Sequence, residues 1–358
     1  MVETSTAAMA PHRRIDSVQA LRFVAALLVV FYHLPKPGGD GQGPTLATMG
    51  HWGGYGVDVF FVISGFIIAY SATRRDAFSA AAFLRDRVDR IYPVYWVVLL
   101  ATVAISLLQS NLGMANATAD LLTPLGYLTS ILLLPLPHQI IPVAWTLGME
   151  MTFYLLFALG FRFGGLRGAA VLVAAWYATA VAHARADAPW QDGTFVFLLH
   201  SISLEFLFGM GIATLHARGR MPAGGLALAA GLALTLLIMP EWAALPAIDL
   251  PREIRAGIPA ALIVYGTVAL AFRTPRWLVL GGEASYALYL THTLVLAIVG
   301  KATAGVLGIP LGSSVLLQIG AVLASIAASL VVLVLVERPL RGLLRPGPWR
   351  PRWPLRPA

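Results

Sequence analysis

Two ionisable side chains interrupt the first apolar stretch of the chain, Arg22 and His33. A charge inside a membrane-length apolar run is costly and usually faces a cavity or a partner. On an α-helix, eleven residues turn through about 1100°, three turns plus about 20°, so the two side chains share one face, separated by a rise of about 16 Å. Gln19 falls on the same face, one turn below Arg22. Histidine suits general acid–base work near neutral pH, and a guanidinium suits an anionic or carbonyl-rich ligand. On this helix alone the structural alternative is open: Arg22 in a packing ion pair and His33 as an interfacial cap.

Further polar groups recur at matching positions of other apolar runs. The second run, Gly56-Val57-Asp58-Val59-Phe60-Phe61-Val62-Ile63-Ser64-Gly65-Phe66, places Asp58 near one end. A later run opens Trp145-Thr146-Leu147-Gly148-Met149-Glu150 and continues to Phe153-Tyr154, and another reads Ser285-Tyr286-Ala287-Leu288-Tyr289-Leu290-Thr291-His292. With the topology below, His33, Asp58, Glu150 and His292 are predicted at similar depth, in the outer half. That agreement favours a single polar cavity supported by Asp58, Ser64, Tyr154, Ser285 and His292. A carboxylate beside His33 would orient the imidazole and raise its basicity; Glu150 is the expected partner, with Asp58 second. Glu205 is also deep and suits a structural or gating role; His200, five residues earlier, lies on another face. Arg87 and Arg90, three residues apart, share one face at a helix start. Two guanidiniums there make a phosphate site, although a loop on the positive side of a membrane needs arginines in any case.

The elements that must position these groups follow from composition. Of 358 residues, 58% are hydrophobic and 12% charged, about half the charge of a soluble domain. Apolar runs of about 17–24 residues recur with short breaks, the pattern of an all-α polytopic membrane protein rather than a β-barrel. Ten spans are predicted at about 16–34, 55–73, 88–108, 145–163, 167–184, 194–217, 223–240, 257–273, 277–300 and 313–337. With both termini cytoplasmic, this topology puts nineteen of the 25 lysines and arginines on the inner side and five outside, Arg22 lying within a helix. If the further run near 121–136, interrupted by Pro124, Gly126 and Pro135, also spanned, the bias would vanish. That run is therefore expected as a short outer-surface or re-entrant helix. The first run follows Arg13 and Arg14 but is long for a signal peptide and lacks a cleavage site, so it is read as an uncleaved helix. Residues 1–15 form a cytoplasmic segment, 16–341 one transmembrane domain and 342–358 a basic, Pro-rich cytoplasmic tail.

The same residues exclude several classes. The net charge of +8 sits in short loops beside apolar runs, which topology explains without a nucleic-acid partner. With no cysteine, disulfides, thiolate metal sites and acyl-cysteine intermediates are ruled out. No P-loop, dinucleotide fingerprint, Gly-Xaa-Ser-Xaa-Gly element or zinc-spaced cluster is present. No internal repeat of the kind expected of an inverted-repeat transporter is visible.

Taken in order from Ile15 to about Arg341, these elements resemble the acyltransferase-3 family of bacterial membrane O-acyltransferases. The resemblance rests on Arg22 with His33, on Gly56 to Phe66, and on Arg87 to Arg90 with Ile91 and Pro93. It continues through Trp145 to Tyr154 and Ser285 to His292, and closes on Glu337-Arg338-Pro339. Details of the first and fourth helices are similar to the exopolysaccharide acetyltransferase branch, of the succinoglycan type. Phe23 departs from the glycine that many relatives carry after the arginine.

The resemblance implies a multi-pass protein of the bacterial cytoplasmic membrane and acyl-CoA, with acetyl the default, as donor from the cytoplasm. It also implies a hydroxyl of an extracytoplasmic or lipid-linked glycan as acceptor. It assigns His33 the role of base, Arg87 and Arg90 the CoA phosphates, and Arg22 the acyl-CoA path, with no bound cofactor or metal. The helix geometry fits: the phosphates would anchor at Arg87 and Arg90, and the arm would rise past Arg22 toward His33, oriented by Glu150. Direct attack and a transient acyl-histidine are both open, as are oligomeric state and acceptor identity. The competing classes are a transporter or glycan exporter using the intramembrane charges as a relay, and a non-catalytic membrane scaffold.

Overall fold

The computed structural model describes residues 16–36, 46, 50–75, 77–114, 118–185, 195–238 and 251–344. The expected N-terminal segment 1–15 and most of the tail, 345–358, lie outside the described residues. All regular elements among the described residues are helical. The principal helices are α1 (Asp16–Tyr32), α2 (Gly56–Ala72), α3 (Ala80–Asn111), α4 (Pro124–Ile131) and α5 (Trp145–Arg185). They continue with α6 (Leu204–Ala217), α7 (Gly224–Ile238), the single turn α8 (Arg252–Arg255), α9 (Gly257–Leu270), α10 (Arg276–Leu307), α11 (Val315–Val332) and α12 (Arg338–Leu344). Six helical segments among the described residues are long and apolar enough to cross a membrane, and two shorter apolar helices end at Ala217 and Leu237.

The longest segment contains a fold-back. Helical geometry within α5 is broken at Gly164 and Gly165, the latter at φ +57°. A β-carbon on Gly160 would lie 2.5 Å from the Gly168 carbonyl oxygen, so the two limbs pack backbone to backbone as a hairpin. This is the break expected between 163 and 167. The span expected from 194 is shorter than predicted: His200 is extended and caps a single turn at Ser201–Ser203 through its Nδ1, and α6 starts only at Leu204.

The run at 121–136 folds back along α3. Tyr92 and Tyr95 donate from their hydroxyls to the carbonyls of Leu132 and Ser130 (2.9 and 2.8 Å), and the Trp96 indole donates to Ile131 (3.0 Å). At the other end Ser106 pairs with Thr118 at 2.7 Å. Residues 92 and 106 of α3 are separated by a rise of about 21 Å, so the connection descends deep along α3 before turning back into α5. Chain carbonyls at that depth need donors, and these three α3 side chains supply them.

Small residues set the tightest helix contact. Gly65 of α2 meets the Phe206 backbone, and Gly209 of α6 meets Val62 and Phe66; a β-carbon at Gly65 would sit 2.2 Å from the Phe206 carbonyl oxygen. Close backbone approach through small residues is how helices associate where no hydrophobic drive exists between them. Gly65→Val forces these helices apart, and we expect a loss of about 3 kcal/mol or more, the scale of severe overpacking. The readout is the yield of monodisperse protein in detergent and its thermal midpoint; unchanged values would remove this contact from the account.

Candidate active site

A cavity opens among α1, α2, α3, α5 and α10. Its polar lining comprises Arg22, Ser64, Arg87, Arg90, Thr146, Glu150, Tyr154, Ser285, Tyr286 and Tyr289, set among apolar residues that include Val57, Phe60, Phe61 and Ile91. Three guanidiniums thus converge on one space with a single carboxylate.

Each of these side chains is held by its own element. Arg22 receives support from Gln19 one turn below it (Nη1 to Oε1, 3.4 Å), as their shared helical face predicts. Arg87 lies over the rings of Phe83 and Tyr154, 5.3 and 5.9 Å from their centres. Its Nε is buried and makes no hydrogen bond among the described residues. Glu150 Oε1 accepts from Ser64 at 2.6 Å and from Tyr154, one turn along α5, at 2.5 Å. Two hydroxyl donors fix this carboxylate against the middle of α2. The Tyr286 hydroxyl donates to the Ile91 carbonyl at 2.7 Å, tying α10 to α3 beside Arg90.

His33 and His292 lie elsewhere. His33 directly follows α1, and its Nδ1 is 2.9 Å from the Val29 carbonyl oxygen and 3.3 Å from Nε2 of the fully buried His292. His292 Nδ1 lies 3.2 Å from the Leu288 carbonyl oxygen. Tyr289 joins the two: it lines the cavity beside Phe60, ring centres 5.9 Å apart, and its ring is 5.9 Å from that of His292. Tyr289 is fastened by Thr146 (2.8 Å) and the Val143 carbonyl (3.2 Å).

The expected single cavity containing His33, Asp58, Glu150 and His292 therefore divides into three sites. Glu150 does not orient His33; its hydrogen bonds go to Ser64 and Tyr154, and His292 occupies the neighbouring place. Ser64, Tyr154 and Ser285 line the cavity as expected, whereas Asp58 and His292 do not. Helical phase gives the reason. Asp58 and Ser64 are six residues apart on α2, a rotation of about 240° beyond one full turn, so groups near in depth face different neighbours.

Asp58, fully buried, forms a two-pronged ion pair with Arg252 (Nε to Oδ1 3.1 Å, Nη2 to Oδ2 2.8 Å). This arginine carried no role in the sequence beyond its place in an outer loop. Glu205 is equally buried, lies against Asp58 and packs under Gly257. Nearby Glu253 accepts from Ser201 at 2.7 Å and Tyr177 at 3.2 Å. This cluster ties α2, α5 and α6 to α8. Asp58→Ala would leave Arg252 beside Gly54 without its counter-ion. Because that guanidinium is about one-third exposed, we expect a loss of about 2 kcal/mol, below the range for a fully buried pair. A lowered thermal midpoint with retained ligand affinity would bear this out; lost affinity with unchanged stability would contradict it.

A bundle of apolar helices around a cavity lined by three arginines and a carboxylate defines a multi-pass membrane protein. Residues 15–337 match the family model described as an acyltransferase domain, and the chain belongs to that acyltransferase-3 family. It is 33% identical over 306 residues to the exopolysaccharide production protein ExoZ of Rhizobium meliloti, covering 82% of this chain and 92% of that protein. It is 29% identical over 335 residues to the acyltransferase MdmB of Streptomyces mycarofaciens, covering 82% of each. A shorter match, 26% over 159 residues, is to protein 2 in the picA locus of Rhizobium radiobacter, covering 39% of this chain and 79% of that protein. No solved structure matches. The chain is a membrane acyltransferase with exopolysaccharide-associated relatives.

Proposed function

We propose that this protein moves an acyl group, acetyl in the first instance, from cytoplasmic acyl-CoA to a hydroxyl of an extracytoplasmic or lipid-linked glycan. The observation that carries this reading is the convergence of Arg22, Arg87 and Arg90 on one cavity, where the buried Arg87 Nε makes no hydrogen bond among the described residues. Phosphates bound at Arg87 and Arg90 would leave the pantetheine arm to extend past Arg22 toward the Phe60–Tyr289 pair. Tyr289 joins the cavity to His292, and His33 lies beside His292. The base action of His33 takes the proton of the acceptor hydroxyl as the oxygen attacks the thioester carbonyl. The carbon–sulfur bond breaks, and the proton passes from His33 to the departing CoA sulfur. Glu150 serves in this scheme as a cavity group that fixes Ser64 and Tyr154 beside the donor, not as the partner of His33.

Ten spans in the bacterial cytoplasmic membrane, both termini cytoplasmic, accompany this reading. The six long segments, with the α5 hairpin counted as two limbs, would make up that number together with α1 and the two shorter apolar helices. A chain without cysteine allows single-cysteine labelling from either side without background to test it.

The deciding experiment incubates purified protein in lipid nanodiscs with carbonyl-labelled acetyl-CoA and surface glycan from cells lacking the protein. Label in ester linkage on the glycan, with stoichiometric free CoA, is the expected result. No acyl transfer, combined with protein-dependent movement of glycan across sealed vesicles, would overturn it in favour of an exporter.

A further inference from the structure

We infer that His292 is a positioning residue that fixes the tautomer of His33 and leaves the Nε2 lone pair of His33 as the base. This rests on the acyl-transfer reading of His33 given above. The argument begins with acceptors that cannot donate. The Leu288 carbonyl oxygen lies 3.2 Å from His292 Nδ1, so that nitrogen carries the proton. Neutral imidazole has one N–H, so His292 Nε2 presents a lone pair, and it points at His33 Nδ1, 3.3 Å away. The Val29 carbonyl oxygen lies 2.9 Å from the same His33 nitrogen. Two acceptors converge on His33 Nδ1, so the proton of neutral His33 resides there and the lone pair resides on Nε2.

The helices dictate this arrangement. On α10, Leu288 and His292 are one turn apart, as are Val29 and His33 at the end of α1. Each ring reaches back to the carbonyl four residues before it, and α1 packs beside α10, with Gly282 against the Gln19 backbone and Gly281 against the Phe23 ring. The rings cross at 63° with centres 4.9 Å apart, which directs a nitrogen of one at the other and does not stack them. His292 is fully buried, so water does not compete for its lone pair.

The consequence for chemistry is specific. When His33 takes the hydroxyl proton on Nε2, the imidazolium keeps Nδ1–H directed at two acceptors, and no rotation is needed between accepting and releasing the proton. A carboxylate does this work in a Ser-His-Asp triad. Here a neutral imidazole and a main-chain carbonyl do it, with no carboxylate hydrogen-bonded to either ring among the described residues.

Two variants and one spectrum test this. His292→Phe retains the ring and removes the acceptor; His292→Gln returns an amide oxygen near the former Nε2. With wild-type transfer established, His292→Phe is expected to lower kcat about 10²-fold, the lower end of what a positioned base supplies, with KM for acetyl-CoA within about twofold. His292→Gln should recover most of that loss. Nitrogen-15 spectra of histidine-labelled protein in nanodiscs should show His33 protonated at Nδ1 in the wild type and a mixture of tautomers in His292→Phe. An unchanged His33 spectrum in His292→Phe, or equal kcat losses in both variants, overturns the assignment. Wild-type protein that shows the expected tautomer but no acyl transfer would overturn the functional reading and leave the tautomer assignment standing.

Discussion

His33→Ala is expected to lower acyl transfer about 10³-fold or more while leaving the affinity for acetyl-CoA within about twofold. The size follows from the role: a base at the attacking hydroxyl supplies about 10²–10⁴ in rate. The sparing of affinity follows from geometry. His33 does not line the cavity that holds Arg22, Arg87 and Arg90, and helix α1 separates it from Arg22 by a rise of about 16 Å. The two effects should therefore separate cleanly, kcat falling and donor binding persisting. His33→Gln is the sharper variant because it keeps a polar side chain at the end of α1. Full transferase activity in both variants would refute the assignment of His33. The same pair distinguishes direct attack from an acyl-histidine: quenched turnover with labelled donor leaves label on the wild type, and none on His33→Ala, only if the acyl group first rests on the imidazole.

The features readable from sequence are those set by one helix at a time. The common face of Gln19 and Arg22, the break between the limbs of α5 at Gly164–Gly165, and the facing of Glu150 to Tyr154 are all consequences of 3.6-residue periodicity or of glycine placement. The run near 121–136, which charge bias sets apart from the spans, lies along α3 and is held there by hydrogen bonds from Tyr92, Tyr95 and Trp96. What could not be read is azimuth between helices. Depth brought Asp58, Glu150, His33 and His292 together, but each helix's rotation about its own axis decides the neighbour. Arg252 meets Asp58 across 194 positions and His292 meets His33 across 259, and no local spacing carries that information. Tyr289 went unmarked for a different reason. It stands four residues after Ser285 and three before His292, on their face of α10, so periodicity could have singled it out once that face was known to be polar.

Replacing Arg87 and Arg90 together by alanine is expected to raise KM for acetyl-CoA about 100-fold or more, with kcat at saturating donor changed only a few-fold. A hydrogen bond to a charged group contributes about 1.5–3 kcal/mol, and two such contacts weakened by solvent and non-additivity still leave about 3 kcal/mol, about a hundredfold in affinity. Arg87→Lys should restore little, because an ammonium cannot reproduce the planar, forked donor set or the stacking of the guanidinium over Phe83 and Tyr154. That stacking also raises the rival explanation, that alanine loosens the cavity wall. Acetyl-pantetheine separates the two. It carries the thioester arm without the nucleotide phosphates, so an arginine pair that acts on phosphate should leave its kcat/KM equal in wild type and double variant. A loose wall would depress kcat/KM for acetyl-pantetheine and acetyl-CoA alike. The wild type should prefer acetyl-CoA to acetyl-pantetheine by about the factor that the double substitution removes, since both measure the same contacts from opposite sides. Agreement between those two ratios would locate the phosphates at Arg87 and Arg90; a wild type indifferent to the nucleotide would exclude them from that place.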